Sequence, residues 1–462
     1  MEGTIGSHAA QTFSEVYGHG EAARPLDFPP PRVRAGVRVN ALVVHPESGS
    51  RQVCSGVIHR EDLSESDPLV ASPAGVSPVS QSKSTARTVN ATQVLAYWPQ
   101  RRLQDAIYGA VWACLVLRRH HGVAADDAAR AAGVEPGSAA APIVWEITGQ
   151  YVAIKMVEWA RVHHMRGRLL EDPVKEVAAM QLLGAQHPHV LGSSEVLQDG
   201  DFLYSVMPYC RDGDLFGIVV QYAEESGGDV GMPEPVARRW FRQILWGLHH
   251  LQAQGVCHRD LSLENILVDG DTCKIIDFGM CLRVPYNDPQ RPDGTATTDV
   301  TRGTNRRLIR PQGVCGKHNY MVRGFGYSLF GNGRFIPSMN RPHILVFSFL
   351  IQSPEVFRNT EPFDGFAIDM WAAGVILYIM LTGFPPYDQA SRTDQRFELI
   401  VSGKLMRQLK NWGIMLSEEA GSLLQSMLQL NPKDRLTLAQ VMAHPWVTNP
   451  YVQVDTVPEP FR

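Results

Sequence analysis

One pair of short strings restricts this chain more than anything in its overall composition. His258-Arg259-Asp260-Leu261-Ser262-Leu263-Glu264-Asn265 is followed, twelve residues after Asn265, by Asp277-Phe278-Gly279, with Asp269-Gly270 as a hairpin turn between them. A given three-letter string occurs by chance in roughly one in twenty chains of this length, so either tripeptide alone says little. Both together, in this order and at this spacing, leave few architectures open.

Composition matters here for what it excludes. With 462 residues, 44% apolar and 19% charged, the chain can bury one large or two moderate cores. A formal charge of -4 gives no basis for binding nucleic acid or an anionic membrane surface. The seven cysteines are scattered, odd in number and never in C-x-x-C spacing, which argues against a disulfide framework or a zinc site and for a reducing compartment. Met1-Glu2-Gly3-Thr4 does not open a basic-then-apolar leader. The longest apolar stretch read here, Ile344 to Ile351 around Ser348, is too short to span a bilayer, so no membrane partner and a cytoplasmic or nuclear location are expected.

Residues 1–98 read as a disordered tail, rich in Pro, Ser, Gly and charge, with Pro29-Pro30-Pro31 and the run Ser77 to Ser84 as markers. Apolar strand patterns then appear at Ile107 to Leu117, Val152 to Val157 and Phe202 to Met207, and a Gly/Ala-rich loop is expected over Gly122 to Ala141. Val177, Met180 and Leu183 share one face of a helix over 174–183, and five strands with this helix make a small first lobe. Beyond Gly213 the period turns helical at 236–252, 368–381 and 420–430, which predicts a larger helical second lobe.

At His258 to Asn265 and Asp277-Phe278-Gly279 the chain resembles the eukaryotic-type serine/threonine protein kinases, with a flavour of the calcium/calmodulin-dependent-kinase-like group. The resemblance implies an α+β, two-lobed protein kinase fold over 99–448, with a β-rich N-lobe (99–209) carrying one regulatory helix, a helical C-lobe (210–448) and a C-terminal tail (449–462). It implies ATP and Mg2+ as cofactors and protein substrates as partners, and it leaves the oligomeric state open. Asp260 takes the place of the carboxylate that orients the attacking hydroxyl and accepts its proton, while Asn265 and Asp277 take the metal-holding places.

Val152-Ala153-Ile154-Lys155 resembles the strand whose lysine holds the α- and β-phosphates, with Ala153 against the nucleotide. Glu176 is the expected ion-pair partner of Lys155 and Glu171 its rival. Gly109-Ala110-Val111 aligns with the end of the phosphate-covering loop, which places Gln104 and Ala106 where the family's first two glycines belong and predicts weakened ATP binding. Met207 resembles the residue at the back of the adenine pocket, Pro208 and Cys210 the hinge acceptor and donor, and Asp214 a ribose or substrate ligand or else a helix cap. Ser353-Pro354-Glu355, the stretch Asp369 to Gly374, Arg435 and His444-Pro445-Trp446 complete the resemblance, with Arg435 expected to pair with a buried Glu355. Small-molecule kinases generally lack this last segment, which favours protein substrates.

Two departures stand out. The family's lysine two residues after the catalytic aspartate is Ser262 here, and its threonine after Cys-Gly is Lys317. Either Lys317 supplies the missing ammonium from the opposite wall, or it is merely solvated and catalysis is impaired. The second departure is a stretch of 31 residues, Val322 to Gln352, with no acidic residue, where the family runs straight through. Its ends are compatible with an unspliced intron read in frame, and a genuine regulatory insert is the rival. Arg259 either pairs with a phosphorylated residue such as Thr304 or packs locally, since Gly313 stands at the usual acceptor place. Asp214 and Glu264 suggest a basic substrate context. Only 14 residues follow Thr448, so the resemblance is expected to carry no calcium dependence. The competing function is a pseudokinase scaffold.

Overall fold

The computed structural model describes residues 23–63, 95–136, 138, 141–169, 171–225, 231–286, 306–311, 322–323, 327–329, 335–337, 344–345, 353–358 and 361–449. The chain divides into two compact units. The smaller holds Arg32–Arg166 and Ser193–Tyr209; the larger holds Met1–Pro31, Gly167–Gly192 and Cys210–Arg462.

The smaller unit is a closed barrel. Its strands are β1 (Arg34–Val44), β2 (Arg51–Arg60), β3 (Leu95–Ala106), β4 (Gly109–Arg119), β5 (Val144–Glu158), β6 (Glu195–Gln198) and β7 (Phe202–Pro208), in the order β1-β2-β3-β4-β5-β7-β6. The five strands β3 to β7 form the expected open sheet, and the β1–β2 hairpin closes it: β2 pairs with β3, while β1 runs parallel to β5 and β6. This corrects the reading of residues 1–98 as a disordered tail and the count of five strands. The alternation in β1 is hidden by a register shift between Val39 and Ala41, which moves the inward set by one residue. Val43, Val57 and Ile58 are fully buried, and burying each stabilises the hairpin by roughly 1.5–3 kcal/mol against its ordering entropy. Arg60 forms an ion pair with Glu195, which also accepts a 2.6 Å bond from Tyr97 Oη, so the hairpin is tied to β6 by charge as well as packing.

The Gly/Ala stretch after β4 is not wholly a loop. Val123–Ala131 forms helix α1, because alanine is the strongest helix former, and Ala124 packs with Val44 and Val144. Trp159–Met165 forms a short helix, α2.

In the larger unit, α3 (Pro173–Leu183) starts at Asp172, whose Oδ1 accepts from the N–H groups of Val174 (2.9 Å) and Lys175 (3.2 Å), with Pro173 just inside. The expected Val177, Met180 and Leu183 are buried, and Glu176 with them. Residues 167–192 group with this unit rather than with the barrel. The reason is local: His250 Nε2 donates to Leu183 O at 2.7 Å, and Leu191 N donates to Ile275 O at 2.9 Å.

Helix α4 is Leu215–Glu225, and α5 is Glu234–Ala253, whose Ala237, Trp240, Phe241, Ile244, Leu248 and Leu251 form one buried stripe. The short α6 (Pro354–Arg358) precedes α7 (Gly365–Thr382), which is long and apolar enough to cross a membrane by composition yet is buried within the unit. This corrects the longest apolar stretch read from the sequence: Asp369 interrupts the run, and the helix is a core helix around it. Gly374 on α7 lets it approach helix α8 (Glu418–Met427), since a Cβ there would lie 3.1 Å from Met427 Cβ and Leu428 Cδ2. Trp446 closes the unit, its ring under Arg238 and its Nε1 donating to Glu234 Oε2 at 2.8 Å. Within 322–352 the described backbone forms two antiparallel strand pairs, Val322–Arg323 with Ile344–Leu345 and Tyr327–Leu329 with Phe335–Pro337.

Candidate active site

The site is built from the loop between two short strands of the larger unit, Val256–Cys257 and Ile266–Asp269. Arg259 has φ 68, a left-handed backbone that costs a bulky residue on the order of 1–3 kcal/mol and persists only where neighbours enforce it. Asp369 enforces it. Its carboxylate accepts the His258 N–H at 2.7 Å and the Arg259 N–H at 2.9 Å, and burial pushes its pKa up to about 7 against the opposing pull of those two donors. The single acid inside the apolar α7 is therefore the anchor of the loop.

His258 is fully buried and joins this loop to the next. Its Nε2 donates to Ile276 O at 2.8 Å, which leaves Nδ1 to accept the Asp260 N–H at 3.3 Å. Asn265 donates through Nδ2 to Asp260 O at 2.7 Å and to Asp260 Oδ2 at 3.1 Å, and Asn265 O accepts from Ile276 N at 2.9 Å. Asp277 follows with φ 66, a conformation that aspartate tolerates better than most residues, and its Oδ1 accepts from Gly279 N at 3.4 Å. Asp260, Asn265 and the backbone of Ile276, next to Asp277, thus belong to one hydrogen-bonded frame.

The donor set suits magnesium. An Asn265 amide that donates through Nδ2 presents Oδ1 as an oxygen ligand, and the Asp277 carboxylate is a second hard oxygen donor, which matches an ion that takes one or two protein ligands and leaves the rest to water and phosphate. No group of three or more His, Cys, Asp or Glu able to hold a metal occurs among the described residues.

Of the other predicted residues in the larger unit, Glu176 is buried on α3, and Glu171 lies against Gly279, where an added Cβ would meet Glu171 Cγ at 2.7 Å. Cys210 is half-buried and its thiol is pushed up to about 11, by burial first. Asp214 accepts from Gly217 N at 2.8 Å at the start of α4, which is the helix-cap reading. Arg259 donates to Met280 O at 3.2 Å and stands over the Phe363 ring, which is the local-packing reading of that side chain. Arg435 Nη2 lies 3.0 Å from Glu355 Oε1, close in distance although not aligned as a hydrogen bond; the same guanidinium donates to Gln429 O and Ala367 O. Ser262 Oγ is buried with no hydrogen-bond partner among the described residues, and Lys317, its expected counterpart, lies outside them. Gly313 and Thr304 also lie outside the described residues.

In the smaller unit, Lys155 sits on β5 opposite Val111 of β4 and Ser205 of β7, and Ala153 pairs with Met207, Val152 with Pro208. Gly109 has a reason to be glycine that involves no phosphate: a Cβ would lie 1.9 Å from Met156 O, so the strand approach alone forbids a side chain. Gln104 and Asp105 are exposed on the β3 arm of the hairpin.

Sequence reasoning missed Asp369 as a site residue and His258 as the link between the loops. A lone acid at the centre of an apolar helix was the available signal for the first.

The protein kinase domain model matches residues 138–304 and 329–447 of this chain. The match breaks over 305–328, not over the Val322 to Gln352 stretch. With a β-rich unit, a helical unit and the Asp260 loop in place, the chain belongs to the protein kinase domain family. It is similar to CBL-interacting protein kinase 9 of Oryza sativa subsp. japonica, 27% identical over 305 residues that make 66% of this chain and 52% of the relative. CBL-interacting serine/threonine-protein kinase 16 of Arabidopsis thaliana is 27% identical over 320 residues, 68% of this chain and 56% of that protein. Sperm motility kinase 2B of Mus musculus is 29% identical over 303 residues, 65% and 47% of the two chains. The chain spans about half the length of these relatives.

Proposed function

We propose that this chain is a working protein kinase that transfers the γ-phosphate of ATP to serine or threonine hydroxyls of proteins. The observation that carries the reading is the pair of bonds from Asn265 Nδ2 to Asp260, which hold a carboxylate in fixed geometry on a strained loop. Phosphoryl transfer asks little covalent chemistry of the protein; it asks for an oriented carboxylate that receives the hydroxyl proton. Asp260 takes that part. Asn265 and Asp277 would hold magnesium, which would offset the charge that develops on the transferred phosphate.

Within the smaller unit, Lys155, Gly109, Val111, Ala153, Met207 and Pro208 serve the nucleotide. The buried Ser262 Oγ, which has no hydrogen-bond partner among the described residues, supports the reading in which Lys317 brings its ammonium to the place a family lysine usually fills. Asp214 and Glu264 favour basic residues near the acceptor. All six cysteines among the described residues are free thiols, which agrees with a reducing cytoplasmic or nuclear setting.

A pseudokinase scaffold is the second reading, supported by the side chains at Gln104 and Ala106 and by Ser262. Transfer of labelled phosphate from ATP–Mg to a Ser/Thr peptide library with basic positions separates the two. A transfer that drops by on the order of 10²–10⁴-fold in Asp260→Asn establishes the kinase. A folded parent chain that transfers nothing selects the scaffold.

A further inference from the structure

Two stretches of the larger unit flank residues 287–305. One is Leu282–Arg283, which pairs with Val256–Cys257; the other is Arg306–Arg310, whose Ile309 exchanges both backbone bonds with Phe363, at 2.8 and 3.0 Å. In a kinase both stretches lie within the activation segment, whose shape governs access of the substrate to Asp260, and they are the two feet of its 287–305 portion. Each foot has one edge covered by its own unit's strands. The other edge of each is covered by the N-terminal segment.

Ala23 N–H donates to Leu308 O at 2.8 Å, and Ala23 O accepts from Arg310 N at 3.0 Å. Three residues later Leu26 N–H donates to Arg283 O at 3.1 Å, and Arg283 Nη1 donates to Asp27 O at 2.7 Å. The two feet meet directly where Arg307 N–H donates to Pro285 O at 2.8 Å, and four bonds within five residues of the N-terminal segment reinforce that pairing, over Val284 and Ile309, which are fully buried. Residues 287–305, between the two feet in sequence, hold five threonines. Arg259, the side chain that a phosphorylated residue would otherwise engage, is already held by Met280 O and the Phe363 ring.

We infer that Ala23–Asp27 is a positioning element for phosphoryl transfer, a segment in cis that holds the two feet of the activation segment together and so does the work of an activating phosphate. The inference rests on the kinase reading above. It makes three demands: transfer survives removal of phosphate from the chain, it depends on the backbone N–H groups of Ala23 and Leu26, and it does not depend on the side chain of Arg24, which is exposed.

The test uses the full chain with Ala23→Pro and Leu26→Pro, each of which deletes one donor, beside Ala23→Gly, which keeps it, and Arg24→Ala. Amide hydrogen exchange is read over 282–286 and 306–310, with the 234–253 helix as the measure of global folding. Each proline variant is expected to exchange about five- to tenfold faster at both feet with the helix unchanged, and to lose a similar factor in kcat at nearly constant KM for ATP. Ala23→Gly and Arg24→Ala are expected to match the parent, and phosphatase-treated parent to keep its rate. Unchanged exchange at the feet in the proline variants, unchanged kcat in variants that have lost protection, or loss of transfer on phosphatase treatment each overturns the proposal. If the parent transfers no phosphate, the kinase reading fails; the exchange measurement then still decides whether the segment holds the feet, and the claim that it serves transfer falls.

Discussion

The loop around Asp260 and the hairpin at β3–β4 are both short turns between strands, yet they are held in opposite ways. The Asp260 loop is fixed by buried polar groups: Asp369, His258 and Asn265 each direct their hydrogen bonds to its backbone. The hairpin is fixed by strand pairing and by the close approach of Gly109 to Met156 O, while its Gln104 and Asp105 face solvent. A loop specified by buried polar partners tolerates almost no change of residue type, because each change orphans a donor or acceptor. A loop specified by backbone packing tolerates any side chain except where two backbones touch. The difference explains why His258, Asp260 and Asn265 stand where the family pattern has them while the first two glycines of the hairpin are replaced by Gln104 and Ala106.

The sharpest way to break this comparison is in the polar region. Arg435→Ala strips the partner from Glu355 and the donors from two carbonyls in a site where the arginine side chain has 0% exposure. It is expected to cost about 3–5 kcal/mol in denaturant unfolding. Asp369→Ala leaves the His258 and Arg259 N–H groups without their acceptor, at about 1–3 kcal/mol each, and lowers kcat more than KM.

Asp369 also gives the comparison a pH signature. Its folded pKa, about 7, lies above that of an exposed carboxyl, so the native state binds the proton more tightly than the unfolded one. Its contribution to stability is present in full below about pH 4 and is lost as pH rises through about 7. In Asp369→Asn that decline should vanish from a plot of unfolding free energy against pH; a plot that keeps it assigns the titration to another group.

Effects in the hairpin are expected to be smaller. Gly109→Ala forces a Cβ onto Met156 O and should destabilise the barrel by about 1–3 kcal/mol, read as a lower Tm. Gln104→Gly with Ala106→Gly should leave stability within about 1 kcal/mol while lowering KM for ATP a few-fold, because backbone N–H groups gain access to phosphate. If the double variant changes stability instead, the hairpin is held by more than its pairing.

The same contrast decides how much of the molecule is legible in its amino-acid sequence. The Asp260 loop is legible because its chemistry demands residue types at fixed spacing, α5 because a 3.6-residue apolar stripe leaves its period in the sequence, and α7 because the apolar run after Asp369 is too long for a strand. β1 is not legible, since a bulge resets its alternation at Val39 and Ala41. Helix α1 is hidden by alanine, which reads as small and flexible beside glycine but favours helix. The bonds made by Ala23 and Leu26 are backbone bonds, and backbone bonds have no residue code. Asp214 is ambiguous in the sequence because one carboxylate serves equally well as a cap or a ligand, and only the Gly217 N–H shows that it caps.

The β1–β2 hairpin sets a problem of order in time. β1 is synthesised first, but its partners Val144–Glu146 and Leu197–Gln198 lie about 100 and 150 residues downstream. At ordinary rates of translation the last of them emerges about 8–30 s later. Until β5 emerges the outer edge of β1 is unpaired, and Val43 and Val57 lack Trp145, one of the residues they are buried with in the finished barrel. The strand that removes the edges from the finished barrel is thus itself an unpaired edge for much of the barrel's synthesis.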